Sequence, residues 1–91
     1  MAFVSADAER LATEQRRGER LERELQRFAA GESSKRVRPA NRTPMVTAFR
    51  RKLQGATDLE IARELDISKA MANGWIQFMT THLARVLAEG E

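Results

Sequence analysis

Ninety-one residues, 42% hydrophobic and 32% charged, suffice for one small domain with room for one appended helix, short of the roughly 100–200 residues usual per domain. With no Cys and one His (His82), the chain lacks the ligands for a disulfide scaffold, a reactive thiol or a zinc finger, and neither an enzyme, a metal, a cofactor nor a small-molecule substrate is expected. No apolar run approaches the roughly 20 residues that span a bilayer, and the opening MAFVSADAER lacks a signal-peptide pattern. A soluble, cytoplasmic protein without a membrane partner is therefore expected.

The formal charge of +3 conceals an uneven distribution. Residues 1–32 hold six Arg against seven acids, residues 33–54 hold seven Lys/Arg and no acid, and residues 55–91 hold three Lys/Arg against six acids. Seven like charges without a counter-charge repel one another unless a polyanion neutralises them, which makes the middle block a candidate nucleic-acid contact.

In chain order, Ser5 to Ala30 is rich in Ala, Glu, Arg, Gln and Leu and free of Pro, and predicts one helix capped by Ser5 and ended near Gly31. Its loose heptad sets Val4, Leu11, Gly18 and Leu25 on one row and Asp7, Glu14, Leu21 and Phe28 on the other. The Leu21, Leu25 and Phe28 end either pairs two copies as a homodimer or packs on its own domain. Residues 32–43 lack apolar periodicity and carry Ser, Asn, Pro and four basic side chains, the composition of a flexible basic linker. Thr43-Pro44 then reads as a cap and first helical residue, opening a C-terminal domain over 44–91. Val46, Phe49 and Leu53 predict its first buried stripe, and Gly55 its first helix stop.

Thr57 and Glu60 have capping-box spacing, and Leu59, Ile61, Ala62 and Leu65 are the inward positions of a short helix. Asp66-Ile67-Ser68 supplies a residue tolerant of left-handed backbone, an apolar plug and a cap for the next helix. The whole run GATDLEIARELDISKAMANGW resembles the helix-turn-helix of response-regulator and sigma-factor output domains, through its Glu-Ile-Ala start and its Ile-Ser turn. It departs from that pattern at Asp66, where Gly is common, and at Ala72, where an aliphatic side chain is usual. A weaker resemblance, through the GA..EIA opening and the His82–Arg85 run, is to helix-turn-helix-like antiactivators of conjugative-element regulators. The elements read from the residues, joined to the domain that the resemblance implies, give an all-α expectation: a long N-terminal helix, a basic linker and a C-terminal three-helix domain with a helix-turn-helix.

On a helical wheel over 69–88, Ala72, Trp75, Ile76, Met79, Leu83, Val86 and Leu87 form a core face. The opposite row, Ala70, Asn73, Gly74, Gln77 and Thr81, is small or amide-bearing and suited to reading base edges in a major groove. Phosphate contacts are expected from Arg36, Arg38, Arg42, Arg50, Arg51, Lys52, Ser68 and Lys69. Met71, Phe78 and His82 form a second apolar strip that, with Leu21, Leu25 and Phe28, offers a protein interface. Two functions follow as expectations: a transcriptional regulator that binds double-stranded DNA, or a module of the same shape that binds a transcriptional activator protein instead.

Overall fold

The computed structural model describes the backbone of residues 2–89 and the side chains of residues 15–89. The fold is all-α over these residues, with α1 at Ala2–Ala29, α2 at Pro39–Leu53, α3 at Asp58–Leu65 and α4 at Lys69–Glu89. Helix α1 begins at Ala2, so Ser5, expected as its cap, lies inside the helix instead, and the side chains of the seam positions Val4, Asp7, Leu11 and Glu14 fall outside the described residues. At about 1.5 Å per residue α1 is some 42 Å long, which accounts for overall extents of 53 × 27 × 17 Å. No helix among the described residues is long and apolar enough to cross a membrane.

Three of the helices end in the same way. Gly31 (φ 87°), Gly55 (φ 97°) and Asp66 (φ 54°) each take the left-handed conformation just past a helix. In each case the next residue's N–H donates back five residues, Glu32 to Arg27, Ala56 to Arg51 and Ile67 to Ala62, while the left-handed residue's own N–H donates back three, to Phe28, Lys52 and Arg63. That double closure satisfies carbonyls the helix end leaves open. At Gly31 a Cβ would also meet the Arg42 guanidinium, which would have to move aside. Thr57 opens α3 with its side chain accepting from Glu60 N–H while the Glu60 carboxylate accepts from Thr57 N–H, a complete capping box. Ser68 opens α4, its Oγ accepting from Met71 N–H at 3.0 Å.

Two expectations from the sequence are corrected in the middle of the chain. Helix α2 starts at Pro39, so residues 39–43, expected in the linker, are helical and Pro44 sits inside the helix. Both prolines satisfy the rule for a first helical position, and the earlier one takes it, with Arg38 as a cap residue that makes no side-chain bond. The remaining connection is packed. Ser34 is buried and its Oγ donates to Phe28 O at 2.7 Å, and Val37 lies against the core. Leu53 (58% exposed) and Leu59 (45% exposed), expected inward, face solvent on either side of the Gly55 turn, where α2 has ended and α3 has only begun.

The core falls into two clusters joined along α4. Leu25 and Phe28 of α1 pack with Met45, Val46, Phe49, Met79 and Leu83. Ile61 and Ala62 of α3 pack with Ala48, Ala56, Ala72 and Ile76. Trp75 is half-buried and touches both. Alanines on facing helices (Ala48, Ala62, Ala72) let α2, α3 and α4 approach closely, while the α1 half is filled by larger side chains.

Candidate nucleic-acid interface

The corner between α3 and α4 has the dimensions a tight crossing needs: an eight-residue helix, a single left-handed residue, and a helix capped by Ser68. From that corner Ala70, Asn73, Gly74, Gln77 and Thr81 run along α4 as one exposed row. Among the described residues, nothing beyond the helix's own backbone lies within 4 Å of where a Gly74 Cβ would begin, so the row is open at its centre.

The amides of the row are already ordered. Asn73 Nδ2 donates to Asp58 Oδ2 at 3.0 Å, and Gln77 Nε2 donates to Asn73 Oδ1 at 2.9 Å. The other Asp58 oxygen accepts from Lys52 Nζ at 2.9 Å. The Asn73 bond first, and the Lys52 bond second, hold the Asp58 carboxyl below its ordinary range. A continuous polar chain thus runs from Lys52 through Asp58 and Asn73 to Gln77.

The expected phosphate contacts do not form one surface. Arg51 grips Glu64 with two bonds of 2.8 Å, Nε to Oε2 and Nη2 to Oε1, and this lowers the Glu64 pKa. Arg50 pairs with Glu22 of α1. Arg42 is half-buried over the Gly31 turn with its Nε enclosed and unbonded, which makes it a packing residue. Arg36, Arg38 and Lys69 are exposed. The partners that neutralise Arg50, Arg51 and Lys52 lie 28, 13 and 6 residues away, so no local spacing announces them; the acidic excess of the motif region is the one trace they leave in the sequence.

The expected protein interface is also divided. Leu25 and Phe28 are fully buried in the chain's own core and Leu21 packs partly against it, so these side chains are occupied within the chain. Met71 and Phe78 remain 48% and 45% exposed. His82 is buried, edge-on to Phe28 (centroids 5.5 Å, 65°) and stacked beneath Phe78 (6.1 Å, 5°). Burial first, then the neighbouring Arg85 guanidinium, lowers the His82 pKa against a smaller upward pull from Glu24.

Sequence reasoning missed a cleft of about 710 Å³ beside this ring pair, between the α1–α2 connection and the second half of α4. Lys35, Arg36 and Arg85 line it together with Ser33, Phe78, Thr81 and His82. No metal-holding group of His, Asp or Glu occurs among the described residues. Comparison with protein-family models, with curated proteins and with solved structures returns no match to this chain.

Proposed function

We propose that this protein is a small helix-turn-helix regulator that binds double-stranded DNA, with the first half of α4 as the helix that enters the major groove. The observation that carries the reading is the exposed row Ala70, Asn73, Gly74, Gln77 and Thr81 directly after the Asp66 corner. Its small side chains allow close approach, and the Asn73 and Gln77 amides present donors and acceptors of the kind that pair with adenine. Ser68 and Lys69 stand at the start of α4, where amide groups and the helix dipole favour a phosphate. The ion pairs of Arg50, Arg51 and Lys52 are solvent-exposed. Such pairs contribute little to folding, so a phosphate can replace the carboxylate at small cost.

A second reading, a protein-interaction module acting on a transcriptional activator, is favoured by those same internal pairs and by the exposure of Met71 and Phe78. Titrating the labelled full chain with a mixed-sequence duplex of about two helical turns, the span of paired half-sites, separates the two. Shifts of the amides of 68–77 that fade as salt rises support the DNA reading. Unmoved amides at low salt overturn it in favour of the protein partner. Asn73→Ala and Gln77→Ala should relax sequence preference by about 1–3 kcal/mol per lost base contact, and equal losses on all duplexes would reassign both amides to structure.

A further inference from the structure

The cleft beside the Phe78–His82 pair shares Thr81 with the exposed row and Phe78 with the second reading, but its cations Lys35, Arg36 and Arg85 carry neither. Its wall holds Lys35, Arg36 and Arg85, which form no ion pair among the described residues, unlike Arg50, Arg51 and Lys52. Two polar atoms at its lining are enclosed and unbonded: Ser33 Oγ and His82 Nε2, the latter on a side chain only 8% exposed. Burying such groups without partners is unfavourable, and a small opening of the lining would offer both to a ligand with hydrogen-bonding edges. The rings of Phe78 and His82 are parallel within 5°, and Phe78 leaves 45% of its surface to solvent. A flat ring can therefore add to the stack.

We propose that this cleft binds a nucleoside phosphate unit, its base stacked on Phe78 with polar edges toward Ser33 and His82, and its phosphate among Lys35, Arg36 and Arg85. An acidic peptide would neutralise the three cations, but its carboxylates and amide planes are too small to cover the exposed face of Phe78 as a nucleobase does. The volume lies within the range of small-ligand sites, and cations beside an aromatic platform are the recurring means of holding unpaired nucleotides. The same unit occurs in a free nucleotide and in an unpaired stretch of a nucleic-acid strand. The inference does not depend on duplex binding by α4, whose residues 68–77 lie outside the cleft.

The test titrates the labelled full chain with adenosine 5′-monophosphate, with an oligothymidylate of about ten residues, within the span of known single-strand sites, and with inorganic phosphate. Amides of 33–37 and 78–85 and the His82 ring signals should move with both nucleotide probes. Phe78→Leu, which keeps an apolar contact to Phe28 but removes the stacking face, should weaken nucleotide binding about five- to hundredfold and leave inorganic phosphate unaffected. Arg85→Glu should weaken all three and, being on an exposed position, serves as the arbiter if Phe78→Leu proves poorly folded. An oligothymidylate bound at least about tenfold tighter than the monophosphate assigns the site to an unpaired strand; equal or weaker binding assigns it to free nucleotides. The proposal is overturned if neither nucleotide moves these signals, if shifts fall on 70–77 instead, or if folded Phe78→Leu binds like the parent.

Discussion

The two halves of α4 are one continuous helix in two different surroundings. Its first half meets α3 and α2 through alanines and Ile76, and the cations nearby are held by Asp58 and Glu64. Its second half meets α1 through Phe28, Met79 and Leu83, and the cations nearby, Lys35, Arg36 and Arg85, form no ion pair among the described residues. The basic block of the sequence is thus two populations. Within it Arg50, Arg51 and Lys52 are paired with acids elsewhere in the chain while Lys35 and Arg36 form no ion pair among the described residues, and counting charges along the chain does not reveal which are available to a ligand.

The largest effect that can break this comparison is on the α1 side. Phe28→Ala removes a ring with no exposed surface and should cost about 3–5 kcal/mol, read as a lowered urea midpoint. A midpoint within error of the parent would make α1 an appendage and return Phe28 to the surface. On the α3 side Ile61→Val, at an equally enclosed position, should cost about 1 kcal/mol, and the amide signals of 58–77 should broaden before those of α1.

Which parts of this were legible beforehand depends on range. The capping box at Thr57 and Glu60, the Asp66 corner and the Gly31 and Gly55 stops are local, and spacing alone points to them. That Leu25 and Phe28 are buried also follows from periodicity. Against what they are buried does not, because a helix of the same chain and a helix of a second copy offer the same apolar stripe. Pro39 and Pro44 compete for one role on equal local terms. The pairs Arg51–Glu64 and Lys52–Asp58, and the cleft made by Ser33, Arg36 and Arg85, arise only when helices cross, and no window of sequence contains them.

A smaller effect comes from pH, again on the α1 side. The folded chain holds His82 with a lowered pKa, so the unfolded chain binds the proton more readily. Stability from this group is complete above the ordinary value of 6.5 and is lost as pH falls through the lower folded value. Urea midpoints should fall across that acid window in the parent, and His82→Phe should flatten the fall. A parent profile that matches the variant would place the imidazole in solvent.

The smallest effect on folding sharpens the α3 side. Glu64→Gln removes the charge and one of the two oxygens that hold Arg51 and should leave the melting midpoint nearly unchanged, as exposed ion pairs do. Duplex affinity at low salt should rise, measured by fluorescence anisotropy. Unaltered affinity would place Arg51 away from the duplex.

Trp75 is the chain's only tryptophan, and the chain has no tyrosine. Because the indole touches both core clusters, the protein carries one natural fluorophore at the seam between its halves. Loosening of α3 and loosening of α1 both wet the same ring, so its emission colour reports the joint state of the two clusters. Only an event that spares both, such as a change confined to the exposed row of α4, passes without a trace in that spectrum.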